Sequence, residues 1–190
     1  MKKDIILAGV GGQGILSIAA VIGTAAVKSG LYVKQAEVHG MSQRGGAVES
    51  HLRLSDRPIA SDLIPHGACD LILSVEPMEA LRYLPFLAAD GWVVSNSKPF
   101  VNIEDYPGEE ELFAEINALP HSLLVDADPI AADLGSKKAS NMVMLGAASP
   151  QLGIPMEELK AAVEALFGRK GEEIVKLNYE ALEAGKKAIS

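Results

Sequence analysis

Asp4-Ile5-Ile6-Leu7-Ala8-Gly9-Val10-Gly11-Gly12-Gln13-Gly14 is the stretch on which the reading of this chain turns. Asp4 to Ala8 reads as a buried strand that runs straight into glycines, and the apolar segment Ile15 to Val27 runs straight out of them. Strand, glycine turn and helix open a nucleotide-binding βαβ unit. In such a turn one glycine allows positive φ, one lets the backbone approach a ligand, and one lets helix and strand pack closely. The helix N-terminus adds unpaired N–H groups and a partial positive charge, which suit an anion. Gly9, Gly11 and Gly14 satisfy G-x-G-x-x-G, and Glu37 stands near the place of an acidic ribose-binding residue. The same glycines would equally serve a close-packed strand–helix corner that binds nothing. Gln13 is the unusual member. The dinucleotide pattern does not require it, and its amide sets a donor and an acceptor at the mouth of the helix.

Outward from this turn, Lys28-Ser29-Gly30 ends the helix with a cation and a glycine, and Leu31 to Val38 reads as a second strand completing a right-handed βαβ unit. After a second glycine cluster, Ala47 to Leu54 alternates, with Val48, Ser50, Leu52 and Leu54 on one face, which predicts an edge or antiparallel strand. Asp70 to Val75 is a buried strand. Glu76-Pro77 opens a helix through about Leu87, and Asp90-Gly91 turns into a strand over Trp92 to Asn96. Lys98 to Gly108 is loop-like; Glu109 to Ala118 is a helix with an acidic start. Ser122 to Asp126 is the last core strand, followed by a helix from about Pro129 to Leu134. Asn141 to Ser149 reads as a buried helix. Leu159, Ala162, Val163, Leu166 and Phe167 then recur at helical spacing, and a final helix from Glu172 to about Lys187 sets Ile174, Leu177, Ala181 and Leu182 on one face. Short apolar strands alternating with helices predict an α/β fold: a Rossmann-like, mainly parallel sheet with helices on both faces and a helical C-terminal tail. Residues 1–190 read as one domain, with the tail from about residue 155 packing on it or on a partner.

Composition narrows the function. Of 190 residues, 48% are hydrophobic, so the chain builds a sizeable core. A net charge of −8 argues against nucleic acid as the main partner. No run of residues is long and apolar enough for a membrane span, and no signal-peptide pattern opens the chain, which together predict a cytoplasmic protein. Cys69 is the single cysteine, so an intramolecular disulfide and a cysteine-ligated cluster held by this chain alone are both out of reach. Lying just before a strand, it reads as a buried structural thiol. The four histidines show no paired metal spacing, and His39 with His51 makes at best a weak zinc pattern. There is no Gly-Lys-Ser/Thr of a P-loop, no G-x-S-x-G elbow and no evident carboxylate pair. A self-sufficient enzyme is hard to assemble from these parts.

The second glycine cluster, Gly40-Met41-Ser42-Gln43-Arg44-Gly45-Gly46, follows the second strand. Loops at the carboxyl ends of strands line the ligand crevice of an open α/β sheet, so this loop and Gln13 are expected to face one cleft. Arg44 supplies a planar fork for phosphate or carboxylate, while Ser42 and Gln43 supply neutral hydrogen bonds. In the plainer reading, Arg44 pairs with an acidic neighbour and orders a tight loop.

Both clusters together resemble the gamma-type chain of 2-oxoacid:ferredoxin oxidoreductases. The resemblance spans nearly the whole chain, continuing through Ala68-Cys69-Asp70-Leu71-Ile72, Glu76, and Asn141 with Leu145-Gly146-Ala147. Pyruvate-type members carry Arg after the first glycine and an acidic-Arg-Arg-Gly second loop; here Val10 and Ser42-Gln43-Arg44-Gly45 stand instead, which is similar to the branch acting on indolepyruvate and other aryl 2-oxoacids. The resemblance implies oxidative decarboxylation of an arylpyruvate with coenzyme A to arylacetyl-CoA, carbon dioxide and reduced ferredoxin. It places thiamine diphosphate, magnesium and [4Fe-4S] clusters in a large alpha subunit, none of them on this chain. By the same carry-over, Gly9, Gly11, Gly12, Gln13, Gly14, the loop Gly40 to Gly46 and Asn141 line a cleft for substrate, coenzyme A or partner, with no residue assignable as catalytic. A stand-alone NAD(P)- or FAD-binding module with Glu37 on a ribose, or a ligand-sensing domain, are the competing readings.

Overall fold

In a computed structural model, which describes residues 1–39 and 45–189 (of His39 the backbone only), the opening strand is β1 (Lys2–Val10) at the interior of a six-stranded sheet. Ile5 and Leu7 point into one core and Ile6 and Ala8 into another, all four fully buried. That double burial is why the stretch is apolar without alternation. α1 (Ile15–Lys28) leads to β2 (Tyr32–His39), which is followed by β3 (Ala47–Ser55). The remaining strands are β4 (Cys69–Ser74), β5 (Leu87–Asn96) and β6 (Ser122–Val125), in the order β2-β3-β1-β4-β5-β6. β1, β4, β5 and β6 pair in parallel, and β3 alone runs against its neighbours. The mainly parallel sheet is as expected.

The first βαβ unit is split. β2 runs the same way as β1, but β3 lies between them, antiparallel to both, with Glu37 opposite Ser50 and Ser50 opposite Leu7. The alternation of β3 thus reported its direction correctly, whereas the edge of the sheet is β2. An interior strand tolerates a polar face here because that face is bonded from above. Arg53 grips the buried Asp4 with both ends of its fork (Nε–Oδ1 2.7 Å, Nη2–Oδ2 3.0 Å) and donates to the carbonyls of Ser61 and Leu63, each at 3.0 Å. The Ile64 N–H donates to His51 Nδ1 at 3.0 Å. The segment after β3 is thereby strapped across it.

α2 (Pro77–Arg82) and α3 (Glu109–Asn117) cover one face of the sheet. The expected helix through Leu87 stops at Arg82 and passes into a 3-10 turn, Leu84–Phe86, because Pro85 has no N–H to donate and its ring crowds the preceding turn. β5 then begins at Leu87, so Asp90-Gly91 lies inside an irregular strand and not in a turn before it. On the other face α1, α4 (Ala127–Asp133) and α5 (Ser140–Leu152) pack on the strands, and α6 (Met156–Phe167) and α7 (Glu172–Ala188) form an outer layer over α1 and α5. α4 starts two residues earlier than the expected Pro129. α1 buries one side only, leaving Leu16 and Val27 exposed.

The C-terminal helices therefore pack on their own chain. α7 turns Val175, Ala181, Leu182 and Gly185 inward, while Ile174, expected on that face, is 39% exposed. The rotation has a backbone cause. A Cβ on Gly185 would lie 1.9 Å from the Val143 carbonyl, and one on Gly146 would lie 2.1 Å from that of Leu182. The two helices touch main chain to main chain, which only glycine permits.

A candidate site at the carboxyl edge of the sheet

The turns after β1, β4, β5 and β6 all open on the same edge. The chain leaves β1 toward β2 and β3 on one side, then returns to β4, β5 and β6 on the other, so a crevice forms between the ends of β1 and β4, where α/β sheets place ligands. Gln13 sits across it. Its Oε1 accepts from the Val10 N–H at 2.7 Å and its Nε2 donates to the Val75 carbonyl at 3.5 Å, so one amide ties the end of β1 to the end of β4. The Gln13 N–H donates to the Val10 carbonyl at 3.1 Å and closes the turn.

The glycines make room for these side chains. A Cβ on Gly9 would stand 2.4 Å from Val75 Cγ2 and 3.0 Å from Gln13 Oε1. Gly14, at φ 83°, caps α1 in a left-handed conformation, and its Cβ would meet Asn141 Nδ2 at 2.5 Å. Asn141, from the first turn of α5, donates to the Gly14 carbonyl at 3.2 Å. The Gly11 N–H donates to the Gly46 carbonyl at 2.9 Å, joining the two glycine clusters directly. Gly9, Gly11, Gly12, Gln13, Gly14, Gly45, Gly46 and Asn141 thus come together at one edge. Gly40, Met41, Ser42, Gln43 and Arg44 lie outside the described residues.

Behind Gln13 a cleft of about 280 Å³ is lined by Gln13, Val75, Asn96, Lys98, Pro99, Phe100, Asp128 and Ser140. Asn96, at the end of β5, organises its floor. Its Nδ2 donates to Asp128 at 2.8 Å and to the Val75 carbonyl at 3.4 Å, and its Oδ1 accepts from the Ala127 N–H at 3.2 Å. Two amides, of Gln13 and Asn96, therefore converge on one carbonyl. Exposed Lys98 supplies a cation at the mouth. The sequence reading missed Asn96, Lys98, Asp128 and Ser140. Its available signal was an Asn closing an otherwise apolar strand immediately before Ser97-Lys98.

Glu76 buttresses this edge from the other face of the sheet. Its carboxylate is fully buried, accepts the Glu79 N–H at 2.8 Å as the cap of α2, and receives the Phe100 N–H at 3.3 Å and the Tyr106 hydroxyl. Burial, then the bond to Glu76, raises the Tyr106 hydroxyl above its ordinary range, so it stays a donor. Neighbouring Glu79 is also raised, by burial, although Arg82 at 2.9 Å opposes the shift.

Two chemistries fail on this donor set. Iron–sulfur ligation does not fit, since Cys69 is the only cysteine, and burial pushes its thiol up to about 12. Among the described residues no group of three His, Cys, Asp or Glu side chains is placed to hold a metal ion, and no helix is long and apolar enough to cross a membrane. The dinucleotide arrangement is also disrupted. Glu37 lies on β2, two strands from β1, so it is displaced by about 10 Å where an adjacent strand would give about 5 Å.

A profile of the pyruvate ferredoxin/flavodoxin oxidoreductase family matches residues 4–188, and the chain belongs to that family. Within it the chain is of the gamma-subunit type. It is 37% identical over 194 residues to indolepyruvate oxidoreductase subunit IorB of Archaeoglobus fulgidus, covering 97% of this chain and 94% of the relative. Among solved structures, pyruvate oxidoreductase subunit PORC of Thermotoga maritima superposes with a TM-score of 0.77 at 22% identity, covering 98% of this chain and 96% of that one. A 2-oxoglutarate:ferredoxin oxidoreductase of Magnetococcus marinus gives 0.79 at 24% identity; 99% of this chain matches but only 31% of that one. These two likenesses establish the fold.

Proposed function

We propose that this chain is the smaller subunit of an indolepyruvate-type 2-oxoacid:ferredoxin oxidoreductase, oxidatively decarboxylating an arylpyruvate with coenzyme A to arylacetyl-CoA, carbon dioxide and reduced ferredoxin. The observation that carries the reading is the junction of the two glycine clusters, Gly11 N–H to Gly46 carbonyl, beside Gln13 in a chain matched over 97% of its length by an indolepyruvate oxidoreductase subunit. Thiamine diphosphate, magnesium and [4Fe-4S] clusters belong to a large alpha subunit, which also passes electrons to ferredoxin. The Magnetococcus marinus relative has coenzyme A bound, and coenzyme A is the co-substrate here. In this reading the carboxyl edge, with Gln13, Asn141 and the Gly40 to Gly46 loop, closes one wall of the shared active site and of the coenzyme A passage. Lys98 at the cleft mouth supplies charge for an anionic substrate or coenzyme A phosphate. The chain works in the cytoplasm and has no activity by itself.

The test is reconstitution. The chain is co-expressed with the thiamine-binding large subunit and assayed for ferredoxin reduction with indolepyruvate and coenzyme A. Co-purification with turnover that neither chain shows alone is the expected result. Turnover by the large subunit alone at the same rate would overturn the reading.

A further inference from the structure

We infer that the loop between β5 and α3, residues 97–108, is a pre-ordered docking element for an apolar surface with a basic rim on the large subunit; the inference rests on the subunit reading above. Phe100, Val101 and Ile103 are 40%, 71% and 49% exposed, three large apolar side chains within four residues. Water disfavours such a cluster, and a protein retains one where another surface covers it. The loop is nevertheless pinned from below. Phe100 N–H and the Tyr106 hydroxyl both end on the buried Glu76 carboxylate, and Asn102 Nδ2 donates to the Gly45 carbonyl at 2.6 Å. The anchors fall on backbone and polar groups, so the apolar side chains are what the loop presents. Phe100 also lines the Gln13 cleft, which makes the loop continuous with the candidate site.

Charge selects the occupant. From Pro99 to Ser136 the sequence holds nine Asp and Glu and no Lys or Arg. Glu104, Asp105 and Glu109 are exposed beside the apolar cluster. A second copy of this chain docked through the same loop would bring Glu104, Asp105 and Glu109 against themselves, whereas a basic rim on a different chain would be drawn in and oriented.

Binding of the purified chain to the thiamine-binding large subunit is measured across a range of salt concentrations for wild type and four variants. V101D/I103D is expected to weaken the complex at least about tenfold, as loss of a central apolar contact does, with the melting temperature of the free chain unchanged. E104Q/D105N/E109Q should slow association severalfold and flatten its salt dependence. Tyr106→Phe should raise amide exchange in residues 98–107 and weaken binding, because it loosens the loop without touching its surface. I174D, on the outer helix layer, should bind as wild type does. Wild-type affinity for V101D/I103D overturns the inference and leaves the subunit reading standing. No complex with the wild-type chain overturns both. Loss of self-association of the free chain in V101D/I103D, with large-subunit binding intact, makes a second copy the occupant and also overturns it.

Discussion

Gly14 holds two constraints in one residue. Its φ of 83° suits glycine alone, and the space beside its Cα belongs to Asn141. A left-handed conformation costs a substituted residue about 1–2 kcal/mol, and crowding in a packed site adds about 1–3 kcal/mol. Gly14→Ala should therefore lower unfolding free energy by about 3 kcal/mol in urea titrations. Asn141→Ala should soften that loss by removing the clash and not the φ penalty, so the double variant should be measurably less unstable than the sum of the singles. Cys69 makes a prediction of the opposite kind, of silence. With its thiol held at about 12 against an ordinary 9.0, folded protein should not react with iodoacetamide at pH 8 beyond the rate at which it opens. The sign of its pH dependence follows from linkage. The unfolded thiol loses its proton first, so stability is unaffected below pH 9 and falls as pH rises from 9 to 12, by about 1.4 kcal/mol per pH unit in that window. A melt series at pH 8 to 10.5 on wild type and Cys69→Ala checks it, since the variant should lose that slope.

Between elements, glycine in a helix has two opposite meanings, and α1 and α7 display both. Gly23 in α1 would place a Cβ 3.8 Å from Val33, an ordinary contact. Gly23→Ala should thus stabilise by about 0.5–1 kcal/mol through helix propensity. Gly185 in α7 has the Val143 carbonyl where its Cβ would go. Gly185→Ala must push α7 off α5 and should cost about 3 kcal/mol, with proteolysis now entering near Gly171. Thermal melts of the two variants should move in opposite directions. Periodicity in the sequence found both helices but put Ile174 on the buried face of α7, because a hydrophobic pattern counts side chains, and the closest approach here is made by the absence of one.

For the whole molecule, the split βαβ unit decides between two functions that share a glycine fingerprint. With β3 inserted beside β1 and Gln13 folded into the turn, the chain should show no submicromolar binding of NAD or NADP in calorimetry. Saturable binding in that range would restore the dinucleotide reading. Much of the architecture was legible from order along the chain. β1 and β4 are apolar without alternation because both their faces are covered, β3 alternates because one of its faces is apolar and the other carries the bonded polar groups His51 and Arg53, and Gly9 and Gly14 hold places in the turn where a Cβ would collide with Val75 and Asn141. These are local requirements, and local requirements leave their mark on neighbouring residues. What the tertiary structure alone decided is which distant groups meet. Asn141 reaches Gly14 across 127 positions, Asn96 and Gln13 share the Val75 carbonyl, and Glu76 holds a loop 24 to 30 residues away. Each of these bonds is made by an ordinary polar residue whose neighbours in sequence say nothing of its partner. The pairing is set by how strands order in the sheet and how helices stack upon it, a property of the packed core as a whole.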